Sequence, residues 1–123
     1  MTRLHHIQVV VPLGATDKVV PFYEALGLKR IPKPVAEGIQ QVGAWFEVAA
    51  GGQVHVSERD GAADPGGRHF GLVVEDYDSL LTELETAGHQ VDRRPAVQGT
   101  NRAMVSDPEG NVVEVIESAG GFA

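Results

Sequence analysis

No cysteine occurs among the 123 residues, which removes disulfide frameworks, thiolate metal sites and cysteine nucleophiles together. Basic residues are the minority, with 10 Lys and Arg against 17 Asp and Glu for a formal net charge of -7. That balance argues against nucleic acid or an anionic membrane as the main partner. No apolar run approaches the roughly 20 residues of a membrane span, and the opening MTRLHHIQVVVP has no signal-peptide cleavage region. The expected location is a reducing cytoplasm. What is present suits a globular chain: 42% of residues are hydrophobic and 22% charged. A chain of this length is expected to form a single domain, burying roughly two thirds of its unfolded surface. The 15 glycines and 7 prolines point to tight turns between short elements.

Leu4 to Pro12 (LHHIQVVVP) is rich in β-branched residues, ends at a proline and reads as a strand. TDKVVPFYEALGL follows as a helix, with Val19, Phe22, Tyr23 and Leu26 at helical spacing and Gly27 placed just past its end. Thr16 or Asp17 is the expected cap, and Pro21 suggests that the regular helix starts near Val20. Strands are expected around Lys29–Ile31, Gly43–Val48 and Gln53–Ser57, the last two joined by the turn Ala49–Gly52. Residues 59–68, RDGAADPGGR, read as a polar linker. The pattern then repeats. His69–Glu75 is a strand, and DYDSLLTELETAG is a helix capped by Asp76 or Asp78, with a Leu80, Leu81, Leu84, Ala87 stripe and Gly88 at its end. Further strands fall near Gln90–Arg93, Arg102–Ser106 and Val112–Ile116, with Asp107–Asn111 as a turn.

Both halves therefore read strand, helix, three strands. HIQVVVP from His6 lies over HFGLVVE from His69, and VHVSE from Val54 lies over VEVIE from Val113, so His55 falls on Glu114. A duplicated unit of about 60 residues is too small to bury a sheet face alone. The expected fold is α+β: two tandem βαβββ modules, about 1–58 and 69–123, joined by the linker 59–68 within one domain over 1–123.

His6, His55, His69 and Glu114 occupy matched points of this plan. Alternate strand residues share a face, so His6 goes with Leu4, Gln8 and Val10, while His5 points behind with Ile7 and Val9. Strands curving around a cavity would bring three imidazoles and one carboxylate together, a set suited to Zn²⁺, Fe²⁺, Mn²⁺, Ni²⁺ or Co²⁺. Against this, a lone strand histidine is usually structural or surface, and Glu114 in VVEVIE fits the solvent face of an alternating strand. Four donors at matched positions outweigh that reading. His89, after a helix-ending glycine, reads as a loop residue. Trp45, Phe46, Arg93, Arg94 and Arg102 lie where they could line a cavity, an arginine holding a carboxylate or phosphate, but such aromatics are more often core and such arginines surface.

The segments LHHIQVVVP, FYEALGL, HFGLVVEDYDSL and DPEGNVVEVIE together make the chain resemble the vicinal oxygen chelate superfamily over nearly its whole length. That group includes lactoylglutathione lyase, methylmalonyl-CoA epimerase, extradiol dioxygenases and the fosfomycin- and bleomycin-resistance proteins. The resemblance implies a glyoxalase-like fold of half-open curved sheets, with metal ligands from the first and last strand of each module: His6, His55, His69 and Glu114. It departs at His55, where Glu or Gln is common and a glutamate can move the proton in isomerases and epimerases. His55 and Glu114 are thus the candidate catalytic groups, and His55 is read as a ligand rather than a free base.

The leading functional expectation is a metal-dependent lyase or isomerase whose small substrate presents two vicinal oxygens to the ion. The alternatives are an Fe²⁺ extradiol-type dioxygenase using His6, His69 and Glu114, and a metal-free drug-binding protein of the bleomycin-resistance type. A homodimer is expected, because a small curved sheet leaves an edge or groove to cover.

Overall fold

Each half of the chain builds the same four-stranded mixed sheet with one helix on it, in a computed structural model that describes residues 1–62 and 64–123. Ala63, inside the expected linker, lies outside the described residues. The chain divides into two compact units, Met1–Ala63 and Asp64–Ala123. The first contains β1 (His6–Pro12), α1 (Thr16–Ala25), β2 (Lys29–Ile31), β3 (Ala44–Glu47) and β4 (Gln53–Arg59), with strand order β1-β4-β3-β2. The second contains β5 (His69–Val74), α2 (Tyr77–Thr86), β6 (Gln90–Val97), β7 (Thr100–Ser106) and β8 (Val112–Glu117), with order β5-β8-β7-β6. First and last strands pair in parallel and all other pairs are antiparallel. These are two tandem βαβββ modules. Among the described residues no helix is long and apolar enough to cross a membrane.

Strand alternation decides which face is core. In the first unit Val9, Val11, Ala44, Phe46, Val54 and Val56 are buried, as are Val19, Phe22 and Tyr23 of α1, which packs on β3 and β4. The opposite face carries His6, Gln8, Trp45, His55 and Ser57. In the second unit Ala103, Val105, Val113 and Val115 are buried with Leu81 and Leu84 of α2. Leu80 is half-buried and Ala87 exposed, so the expected four-residue stripe is narrower and Tyr77 completes it instead.

The start of α1 differs from expectation. The helix begins at Thr16, not near Val20, and Pro21 lies inside it. A proline there removes one amide from the ladder. The carbonyl it would have met belongs to Asp17, and both residues are exposed, so water can satisfy it. Neither Thr16 nor Asp17 caps the helix; the N-cap position is Ala15, which has no side-chain acceptor. Glu58 of β4 performs the task. Its Oε1 accepts from the Gly14 amide at 2.9 Å, and its Oε2 accepts from the Thr16 hydroxyl at 2.6 Å and the Thr16 amide at 3.4 Å. A carboxylate at a helix N-terminus also meets the positive end of the helix dipole. At α2 the N-cap is Asp76, again without a side-chain bond. Both helices end alike. Leu28 N–H reaches the Tyr23 carbonyl and Gly27 N–H that of Glu24, while His89 and Gly88 repeat this on Leu84 and Glu85, each glycine at φ near 90° (90° and 88°).

β6 runs on to Val97, past the expected end at Arg93, and turns through Gln98 and Gly99 (φ 49° and 76°) into β7. Pro95 is tolerated because β6 is an edge strand with a register shift between Arg94 and Val97. The Asp107–Asn111 turn is held by the buried Asp107, whose Oδ1 accepts from the Glu109 and Asn111 amides at 2.8 and 3.0 Å.

The Gly14 amide, then the Thr16 hydroxyl, hold the Glu58 carboxyl below the usual carboxylate range. The stabilisation from a lowered carboxyl is fully present above the unfolded value, here 4.5, and is lost as pH falls through the folded value. Glu58→Ala is therefore expected to lower the melting temperature at pH 7, with the gap from wild type narrowing below about pH 4 as wild type loses the same bonds. Thermal melts of both proteins across that range check this.

Candidate functional site

The parallel register sets the donors in each unit. In the first, Gln8 of β1 pairs with His55 of β4, so His6, two residues upstream on the same face, lies diagonally across from His55. Their rings stack with centroids 4.2 Å apart and planes at 16°. On the other side Trp45, the cross-strand partner of His55, stacks at 3.9 Å and 1°. The His55 ring is thus sandwiched, and only 6% of the residue is exposed. Its Nε2 lies 2.7 Å from Gln53 Oε1, so Nε2–H donates and Nδ1 keeps the lone pair. Burial first, then the nearby His6, His5 and Lys33, lower its pKa to about 4. His55 is a neutral imidazole at physiological pH, the form that binds metal.

His5 was expected behind this face, but it lines the same cavity as His6, with its Nδ1 2.9 Å from His6 Nδ1. It precedes β1, where the pleat no longer imposes alternation. The cavity, about 360 Å³, also contains Gln8, Lys33, Gln40, Trp45, Ser57 and Arg59 in its lining.

The second unit repeats the diagonal. Gly71 of β5 pairs with Glu114 of β8, and His69 sits two residues upstream of Gly71. His69 Nε2 is 3.3 Å from Glu114 Oε1, and Arg102 Nη1 is 3.3 Å from Glu114 Oε2. The Gly67 carbonyl lies 3.1 Å from His69 Nδ1 and can only accept. Nδ1 therefore donates, and Nε2 is the ring nitrogen that faces the Glu114 carboxylate oxygen. This donor chemistry fits a divalent ion, and the Gly67 contact is the kind of partner that orients a metal-binding histidine. Among the described residues no three His, Asp or Glu side chains form a metal-holding group; the donors come as one pair per unit.

The family model of the Glyoxalase/Bleomycin resistance protein/Dioxygenase superfamily matches residues 3–115. The chain belongs to that superfamily. No curated protein matches its sequence, but solved structures do. A glyoxalase family protein from Bacillus anthracis is 29% identical, with a TM-score of 0.85 and 97% of each chain covered. Lactoylglutathione lyase from Agrobacterium tumefaciens is 20% identical, with a TM-score of 0.69 over 96% of this chain and 95% of that one. The fosfomycin resistance protein FosX from Listeria monocytogenes is 18% identical, with a TM-score of 0.74 over 97% and 95%. At those two identities the likeness is one of fold.

The glyoxalase superfamily chain places the other singled-out residues variously. Phe46 is core. Arg93 pairs with Glu85 and Arg94 with Asp92 on the surface. Trp45 and Arg102, discounted on sequence grounds, touch His55 and Glu114 directly. Lys33, Gln40 and Arg59 gave no signal, because they lie in or beside loops whose path sequence periodicity does not describe.

Trp45→Ala would open one face of the His55 ring. Its pKa is expected to rise from about 4 toward the ordinary 6.5, followed by the NMR titration of the imidazole C–H signals in metal-free protein. An unchanged titration would show that Trp45 does not desolvate the ring.

Proposed function

We propose that this chain is a metal-dependent enzyme of the lyase or isomerase type, working as a cytoplasmic homodimer on a small substrate with two vicinal oxygens. His6 and His55 from the first unit and His69 and Glu114 from the second are the proposed ligands, for Zn²⁺, Fe²⁺, Ni²⁺, Mn²⁺ or Co²⁺. The observation that supports this is the repeated diagonal: each unit sets two donors at the same register across its parallel pair, at ring-stacking distance in one and at 3.3 Å in the other.

A bound divalent ion would polarise a substrate carbonyl and ease loss of the proton beside it. The chain's own residues prepare the donors. Trp45 and Gln53 fix the His55 ring, Gly67 fixes the His69 tautomer, and Arg102 holds one oxygen of Glu114. Of the two candidate catalytic groups, His55 acts as ligand, and Glu114 is the carboxylate able to take a proton.

The dioxygenase reading needs an open position for oxygen, and a fourth protein donor at His55 works against it. A cationic drug as ligand fits poorly with the first unit's cavity, whose lining includes Lys33 and Arg59 and no carboxylate.

Purified protein is expected to hold stoichiometric metal by inductively coupled plasma mass spectrometry. His69→Ala should weaken binding by more than the roughly 10–100-fold that loss of an outer-shell partner costs, and His89→Ala should leave it unchanged. His55→Glu should keep metal but shift preference toward Mn²⁺, whereas His55→Ala should weaken it. Equal metal binding by wild type and His69→Ala would overturn the assignment. Sedimentation as a monomer at micromolar concentration would remove the dimer.

A further inference from the structure

We propose that the cavity of the first unit binds an oxyanionic group, a carboxylate or a phosphate, of the small substrate, with Lys33 as its charge partner. The identity of the ligand as substrate rests on the enzyme reading above; the anion site itself does not.

The cavity's charge runs against that of the chain. The protein carries a net charge of -7, yet this cavity is lined by two cations, Lys33 and Arg59, three histidines and no carboxylate. The larger cavity of the second unit, about 810 Å³, has Asp64, Asp107 and Glu109 in its wall. A cleft lined by one sign of charge concentrates the opposite ion.

Lys33 is half-buried and donates to the Val42 carbonyl. Among the described residues no carboxylate forms an ion pair with it. Glu58, whose charge reaches Lys33, spends both oxygens on Gly14 and Thr16. Burial lowers the Lys33 pKa and outweighs the Glu58 charge, which raises it, so the ammonium is only partly compensated. An oxyanion would supply it.

The loop that brings Lys33 here is held in place. The Gln40 side chain pairs with Glu58 of β4 like a short strand: Nε2 donates to the Glu58 carbonyl at 2.9 Å, and Oε1 accepts the Glu58 amide at 3.0 Å. The Ser57 hydroxyl also donates to Oε1, at 3.2 Å. Gly43 closes the loop at φ 96°, where a Cβ would fall 2.3 Å from the Val56 carbonyl oxygen. No other residue fits that approach without displacing β4. A pre-set cation loses little entropy on binding. The cavity's 360 Å³ suits a small molecule, and the Trp45–His55–His6 stack gives it a rigid wall.

Trp45 is the chain's single tryptophan, so its emission, with calorimetry beside it, reports on this cavity. Lactate, 1,2-propanediol 1-phosphate and uncharged propylene glycol are titrated into the 123-residue chain, with chelator and again with Zn²⁺. Both acids, or one of them, should bind saturably and at least about tenfold tighter than propylene glycol; the preferred acid tells carboxylate from phosphate. Lys33→Met should weaken that binding about tenfold or more and Lys33→Arg should largely restore it. Lys29→Met, the same charge change at an exposed site paired with Glu47, should leave it unchanged. No saturable binding, equal binding of propylene glycol, or equal effects of Lys33→Met and Lys29→Met would overturn the proposal. Metal content of the same samples separates the two readings. Anion discrimination by protein that takes no metal would sink the metal assignment and uphold this site, and stoichiometric metal without discrimination would do the reverse.

Discussion

A parallel pair of strands needs a long crossover between its members, and in each unit that crossover takes in a helix and two further strands before the last strand returns beside the first. The donors' positions follow from this return. Because side chains alternate with a period of two, the register Gln8 to His55 fixes which first-strand residue lies diagonal to position 55, and the register Gly71 to Glu114 does the same for position 114. A slip of one residue in either strand would turn that strand's donor into the helix-covered core and split the pair. The core valines on the same strands hold the register, since Val54, Val56, Val113 and Val115 are each 1% exposed or less.

The last strand of each unit is buried on both faces, which puts a polar side chain in a costly place. Removing an unpaired charge or polar group from water costs several kcal/mol, up to about 7 for an unbonded neutral group. The two units meet that cost differently. His55 gives up its charge and is covered by rings, each stacked pair contributing about 1 kcal/mol beyond area burial, with Gln53 taking one nitrogen. Glu114, 8% exposed, keeps a carboxylate and is flanked by His69 and Arg102. The same register thus holds a neutral donor in one unit and an anionic one in the other.

Much of this was legible before any coordinates. The duplication was visible in HIQVVVP over HFGLVVE, and β-branched runs with glycine-ended helices located every strand and both helices. Pro21 misplaced the start of α1, since its lost amide bond falls on the exposed side of the helix, and the cap was missed because the acceptor that replaces a local one is Glu58, 42 residues away in sequence from Thr16. The β6–β7 turn was hidden by Pro95, which reads as a strand breaker until the strand is known to be an edge. His5 followed the pleat on paper because nothing in the sequence says that the strand begins at His6 and not at Leu4. The cavity's charge was the least legible feature. Lys33 reaches it through a loop anchored by Gln40 and closed by Gly43, contacts set by tertiary packing and not by any local pattern.

Position 55 links the donor set to the cavity's charge. A glutamate there, one of the residues the family resemblance leads one to expect, would place a carboxylate on the wall that Lys33 already senses, since the Lys33 charge acts on His55. Two opposite unit charges within a few ångströms of each other attract by about 4 kcal/mol at 4 Å when the effective dielectric constant is about 20. Lys33 would then have a partner inside the protein, and an incoming anion would have to compete with it. A neutral imidazole removes that competitor and keeps a donor nitrogen. In the proposed metal site it would also leave a divalent ion with one less negative ligand, which would favour an anionic ligand further. The imidazole at position 55 and the Lys33 charge that acts on it are in this sense one feature: a neutral donor on β4 leaves the proposed anion site without an internal competitor on that wall.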